Sequence, residues 1–231
     1  MQPSHLDVRE SDHSALLTYL QASVEIQKAL LARELHDNLG GLVLAAVMDV
    51  AWAEEHSSSL TTRTRGTLAR AREALRSALD MNRRIIEELR PSLLDNVGLF
   101  AALSWELKQV CARTGRRCSG HYPPSEMHFT PEASIALFRI AQEALAISNT
   151  HSSVTTAELS VSTDRETITL RFANEEIASP PVGLDRGAAV FASMLHRIRV
   201  LGGNMEISPS PPNGTALTIT IPLTRILLTQ S

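Results

Sequence analysis

The chain has 231 residues, of which 43% are hydrophobic and only 4% aromatic. This length accommodates one large domain or two modest ones, and the core must be aliphatic, as in helical bundles. With 20% charged residues and a formal net charge of -3, the chain lacks the basic excess of proteins that bind nucleic acid or membrane surfaces. We therefore expect neither as a partner.

The first residues contain no apolar signal core, and no run approaches the ~20 apolar residues of a membrane span. The longest candidate, 42–53, is interrupted by Asp49. We predict a cytoplasmic protein. Disulfides are rare in that compartment, and Cys111 and Cys118 do not form a Cys-x-x-Cys pair, so we predict two free thiols.

Two long amphipathic patterns dominate the first half of the chain. After a predicted tail over 1–12, residues 13–55 contain no proline, and their apolar positions recur at steps of three, four and seven: Leu20, Val24, Leu31, Leu35, Leu42 and Ala46. Asn38 lies on the same stripe, where a polar residue can fix pairing register. A second pattern runs from Leu60 to Leu89 and ends before Pro91, with Leu68, Leu75, Leu79, Ile86 and Leu89 on its apolar side and many arginines elsewhere.

We predict that 13–96 forms an antiparallel helical hairpin. A single hairpin cannot bury both of its apolar stripes, whereas two copies form a four-helix bundle. The sequence therefore predicts a homodimer.

The pattern of residues 97–224 predicts an α+β domain. Amphipathic helical patterns begin at Gly98, at Pro131 and near Ala188. Period-two runs predict strands at 117–122, 156–162 and 167–172 and a final pair at 205–208 and 216–221. These elements indicate a mixed sheet with helices on one face. Residues 225–231 are predicted to be a C-terminal tail, although the apolar run 226–228 could pack against another part of the chain.

His36 is the candidate reactive residue. It follows Leu35, so it should face outward beside the helical seam, and Asp37 is suitably placed to orient its imidazole or accept a proton. Phosphoryl transfer needs an aligned nucleophile of this kind. The pattern by itself leaves open an ordinary surface histidine.

The stretch Ala32-Arg-Glu-Leu-His-Asp-Asn-Leu-Gly40 resembles the phosphoacceptor box of two-component sensor histidine kinases, specifically the nitrate-sensor-like and DesK-like subfamily. Residues 89–103, 136–145, 194–203 and 213–215 resemble later segments of that family in the same order. The resemblance implies that 97–224 forms an α/β sandwich of the histidine-kinase ATP-binding (Bergerat) type, with His36 as phosphoacceptor and Asp37 as its acid/base partner. It also implies docking of response-regulator receiver domains, for which Arg33 and Asn38 are candidates.

Several positions depart from the family pattern. Ile147 stands where the family has a magnesium-binding asparagine, and an apolar side chain cannot ligate Mg²⁺. Asn174 replaces the aspartate that recognises adenine, and Glu176 replaces a glycine. These positions predict an eroded nucleotide site, with no cofactor and no metal ligand. Gly41 stands where dephosphorylating relatives often have glutamine, which argues against phosphatase activity.

Three hypotheses follow. The first is a histidine phosphotransferase derived from a kinase, exchanging phosphate between His36 and receiver aspartates, with an upstream histidine kinase as a further partner. The second is an active kinase that uses ATP and Mg²⁺ in a divergent site. The third is a non-catalytic module that binds a regulator and does not need His36. We rank them in this order at the level of sequence.

Overall fold

The computed structural model describes residues 5–57, 61–148, 154–176, 188–210 and 214–228. The helices are α1 His5–Glu34, a π-helical segment Leu35–Gly40, α2 Gly41–His56, α3 Thr62–Leu89, α4 Ser92–Asn96, α5 Leu99–Thr114, α6 Pro131–Ser148 and α7 Ala188–Val200. The strands are β1 Arg117–His121, β2 Val154–Thr163, β3 Thr167–Glu176, β4 Asn204–Ser210 and β5 Gly214–Pro222. Two compact units result, one formed by 19–92 and the other by the residues up to Thr18 together with those from Leu93 onward.

The first unit contains an antiparallel pair, α2 and α3. The hydroxyl of Thr61 accepts a hydrogen bond from the Thr64 N–H at 3.1 Å and so caps the start of α3. Pro91 follows the end of that helix, as predicted. Glu54, near the end of α2, pairs with Arg72 in the first half of α3 at 2.5 Å. Asn82, in the second half of α3, donates to the carbonyl of Leu35, which precedes α2, so the two helices run in opposite directions.

Two features of the first helical pattern differ from expectation. The tail predicted over 1–12 is wrong from His5 onward, because α1 begins there. The sequence from His5 to Leu39 contains neither proline nor glycine, so nothing local stops the helix from extending toward the N-terminus. The helix is also not uniformly α-helical, since Leu35–Gly40 is a π-helical turn.

The second unit, which we call the C-terminal unit, contains one five-stranded mixed sheet with strand order β1-β2-β3-β5-β4. β1 and β2 are parallel, and the other neighbouring strands are antiparallel. Alternate residues of β3, namely Ile168, Leu170 and Phe172, are buried in a core that also contains side chains of α5, α6 and α7. The predicted α+β class, a helical region followed by an α/β layer, is confirmed.

The two cysteines form a disulfide, so the prediction of free thiols is wrong. Gly115 ends α5 in the left-handed conformation (φ 69°), and β1 begins two residues later. This turn brings Cys111 on the last part of α5 within 6.1 Å of Cys118 on β1, measured between Cα atoms, a separation that a disulfide spans.

The C-terminal tail predicted over 225–231 is wrong for its described part. Ile226 is fully buried in the core. Its carbonyl accepts a hydrogen bond from the Thr130 N–H at 2.8 Å, and the Leu228 N–H donates to the His128 carbonyl at 3.0 Å. One buried isoleucine and two backbone hydrogen bonds therefore attach this segment to the chain just before α6. None of the helices in the described ranges is long and apolar enough to cross a membrane.

Candidate functional site

The predicted phosphoacceptor stretch 32–40, which we call the histidine box, ends in the π-helical segment Leu35–Gly40, and His36 lies in that segment. Half-buried or buried positions of α1 recur in steps of three and four, at Glu25, Lys28, Ala32 and Leu35, and again along α2 at Val43, Val47, Val50 and Glu54. Between Leu35 and the next half-buried residue, Gly40, the step is five. A π-helical turn accommodates one extra residue, so it keeps the half-buried positions of α1 and α2 on one face. The π-helical segment and α2 both contact α3.

The four residues predicted for phosphate chemistry and docking lie close together in the chain. His36, Asp37 and Asn38 are exposed within the π-helical segment, and Arg33 is exposed in the last turn of α1. His36 thus lies outside the face toward α3 in this chain, as its position after Leu35 predicts. An exposed imidazole on a helical support is accessible to a phosphoryl donor and to a phosphoryl acceptor.

Asn82 of α3 lies behind the histidine box, and the sequence reasoning missed it. It is 5% exposed, and its Nδ2 donates to the Leu35 carbonyl at 3.2 Å. A Cβ added at Gly40 would lie 3.4 Å from the same Nδ2, an ordinary van der Waals contact, so the amide of Asn82 lies directly beside Gly40. A signal was present, because Asn82 occupies a polar position on the apolar stripe between Leu79 and Ile86.

The positions predicted to be eroded in the nucleotide site are partly described. Ile147, in α6, is half-buried and packs against the hydrophobic core. Asn174, on β3, accepts a hydrogen bond at Oδ1 from the Thr215 N–H on β5 at 3.0 Å. Glu176 is the last residue of β3. Residues 149–153 after α6 and 177–187 after β3 lie outside the described residues.

Glu143, which precedes Ile147 by one helical turn, links α6 to α7. Its Oε1 accepts a hydrogen bond from the Ser193 hydroxyl at 3.0 Å and lies 3.6 Å from Nε of Arg197. Arg197 is 11% exposed and Glu143 19% exposed at the side chain, so solvent screens this ion pair little. The contact fixes the relative position of the two helices in the C-terminal unit.

The arginines of α3 do not act as one uniform basic surface. Arg72 is engaged by Glu54 and Arg83 lies 3.8 Å from Asp80, whereas Arg63, Arg65 and Arg76 are exposed. Exposed ion pairs of the Arg83 type contribute little to stability. The helix therefore presents several solvent-facing cations near its start.

Comparison with known proteins gives a match over the first unit. Residues 27–94 match the HisKA_3 family model, described as histidine kinase. This range contains the histidine box and the whole of α3.

Similar curated proteins are sensor kinases. The signal transduction histidine-protein kinase/phosphatase DegS of Brevibacillus brevis is 26% identical over 220 residues, which are 94% of this chain and 56% of that protein. The sensor histidine kinase MctS of Rhizobium johnstonii is 37% identical over 124 residues, which are 52% of this chain and 26% of that protein. The chain therefore spans about half or less of the length of these relatives.

Solved structures of low sequence identity also match. The histidine kinase domain of a blue-light activated histidine kinase from Erythrobacter litoralis is 16% identical, with a TM-score of 0.48, and the match covers 78% of this chain and 95% of that domain.

Proposed function

We propose that this chain is a histidine kinase of two-component signalling, because residues 27–94 match the HisKA_3 family model. We further propose that His36 is its phosphoacceptor and passes the phosphoryl group to a receiver aspartate. The observation that supports this most directly is the exposed position of His36 in the π-helical segment, inside the matched range. Asp37, the next residue, is the proposed acid/base partner. Arg33 and Asn38 flank it as proposed docking contacts for a response-regulator receiver domain.

We propose ATP as the phosphoryl donor. The relatives reported above are named histidine kinases, and they favour an ATP-dependent kinase over the phosphotransferase that the sequence reasoning ranked first. That first-ranked prediction has no support from these relatives. The C-terminal unit, a mixed sheet with α5, α6 and α7 packed in its core, is the proposed nucleotide-binding part.

A histidine phosphotransferase remains a second candidate because of two contacts in the C-terminal unit. Ile147 packs into the core where the family resemblance places a magnesium-binding asparagine, and it offers no oxygen ligand. The Oδ1 of Asn174, where the resemblance places the adenine-binding carboxylate, already accepts the Thr215 N–H. Under this candidate His36 receives phosphate from a phosphorylated receiver domain, which in turn is charged by an upstream histidine kinase.

We further propose that the protein acts as a homodimer. Apolar side chains that do not face α3 are exposed in the single chain: Leu42 is 71% exposed, Met48 64% and Trp52 62%. They lie on α2, and α1 continues this exposure with Val24 and Leu31. A second copy of the hairpin buries such side chains in a four-helix bundle.

The deciding experiment offers the purified chain two donors in parallel. One sample receives labelled ATP with Mg²⁺, and the other receives a phosphorylated receiver domain. Acid-labile label on His36 from ATP supports the kinase, and label from the receiver alone supports the phosphotransferase. Unchanged signalling by a His36→Ala variant in cells would reject both and favour the non-catalytic binding module.

A further inference from the structure

Asn82 is a polar residue in the contact between α3 and the histidine box, 46 positions along the chain from His36. Only 5% of it is exposed. Burying an amide in an apolar contact is unfavourable unless its polar atoms are hydrogen-bonded. Nδ2 has a partner, the Leu35 carbonyl at 3.2 Å, whereas Oδ1 has no hydrogen-bond partner among the described residues. A leucine would fill this position without leaving a buried oxygen unsatisfied.

The partner of Asn82 is the backbone of the residue that precedes His36. In a π-helical turn the carbonyl of residue i is bonded by the N–H of residue i+5, which for Leu35 is that of Gly40, whereas in an α-helix it is that of residue i+4, Leu39. π-Helical turns are rare and need local support. The Asn82 amide supplies a second donor to this carbonyl, and it lies beside Gly40 at the end of the same segment.

The hydrogen-bond register of this turn, π-helical or α-helical, determines the direction in which the His36 side chain points. Each residue of an α-helix rotates the chain by about 100°. Loss of the extra residue in Leu35–Gly40 would therefore rotate α1 relative to α2 by about this angle. Either the half-buried positions before and after Leu35 would no longer lie on one face, or His36 would point in a different direction relative to α3.

We propose that Asn82 is a positioning residue: its hydrogen bond to the Leu35 carbonyl holds the π-helical register and so sets the direction in which His36 meets its phosphoryl donor and acceptor. This inference rests on the proposed function of His36. Asn82 touches neither phosphate nor imidazole in this account. It acts through the backbone, as a side chain that fixes a nucleophile's alignment.

The test uses Asn82→Leu, which removes the amide and keeps an apolar side chain, and Asn82→Asp, which keeps the shape and removes the N–H donor. The matched control is Glu54→Gln, which weakens another α2–α3 contact, the ion pair with Arg72, away from His36. Each variant of the full chain is labelled at His36 at several concentrations of whichever donor labels the wild type. Backbone amide exchange of Leu39 and Gly40 reports the register of the segment.

Misalignment of a nucleophile by about 1 Å costs about a hundredfold in rate, so we expect Asn82→Leu to lower the labelling rate at saturating donor by about that factor. The half-saturating donor concentration should not change, and the exchange rates of the Leu39 and Gly40 amides should change together with the labelling rate. Glu54→Gln should label at close to the wild-type rate. If Asn82→Asp does not fold, the Asn82→Leu result decides.

Two failures are distinguishable. Wild-type protein that takes up label while Asn82→Leu labels at the same rate with unchanged exchange overturns the role of Asn82 and leaves the proposed function intact. Equal loss of rate in Asn82→Leu and Glu54→Gln also overturns it, because hairpin stability would then explain both. Wild-type protein that takes up no label at His36 from either donor overturns the proposed function itself.

Discussion

Replacing Ile226 by alanine tests whether the chain end is a structural part of the C-terminal unit. The side chain is fully buried in the core. Truncation of a buried isoleucine to alanine costs about 2–5 kcal/mol, depending on how far the cavity collapses. For a chain of this size a change of 1 kcal/mol shifts the thermal midpoint by roughly 3 °C, so we expect a decrease of at least about 6 °C.

A matched control lies two residues away. Leu228 is 50% exposed, so Leu228→Ala removes less buried surface and should cost roughly 1 kcal/mol or less. The chain has two tryptophans, and a Trp52→Phe background leaves Trp105 of α5 as the fluorescent reporter of this unit. Thermal unfolding followed by that fluorescence would refute the packing of Ile226 if both variants shifted the midpoint equally and by less than about 3 °C.

Three other predictions concern the C-terminal unit. Reductant should lower the denaturant midpoint of the wild type but not that of Cys111→Ser, because the disulfide closes a short loop and contributes about 2.5 kcal/mol in the chain-entropy relation. Equal wild-type midpoints with and without reductant would argue against the bond. Glu126→Ala should cost about 1–2 kcal/mol in denaturant unfolding, since its carboxylate accepts two N–H groups at the start of α5, at 3.1 and 2.8 Å; a loss below about 0.3 kcal/mol would contradict that capping role. Burial raises the pKa of Tyr122 to about 12 from 10.0, so between these pH values the folded state keeps a proton that the unfolded state releases. The free energy of unfolding should therefore be unaffected by this group below pH 10 and should fall as the pH rises through 12. Tyr122→Phe should show a smaller decrease over the same range.

The sequence predicted the elements whose periodicity is strong. The apolar steps of the second long pattern and Pro91 fixed the end of α3, and alternation predicted β3, whose Ile168, Leu170 and Phe172 are buried. Family resemblance singled out His36 as the candidate phosphoacceptor, which stays a prediction, and gave the order of the later segments. These signals are local, so they can be found in a single sequence without tertiary contacts.

Other features depend on contacts between distant residues. The π-helical turn is related to the five-residue step between Leu35 and Gly40, which becomes visible only when the face toward α3 is known. The disulfide depends on the close approach of α5 and β1, and two cysteines seven residues apart give no local signal for it. Ile226 follows the last strand in a short apolar run that can be either a frayed end or a core contact, and the neighbouring Thr130 and His128 backbone decides between them.

The central claim is that His36 accepts a phosphoryl group from ATP. The most direct test incubates the wild type and His36→Gln with labelled ATP and Mg²⁺ and locates acid-labile, alkali-stable label by mass spectrometry. The account predicts label on His36 in the wild type and none in the variant. Label on His36 from a phosphorylated receiver but not from ATP would replace the kinase by the phosphotransferase, and absence of label from both donors would contradict the claim.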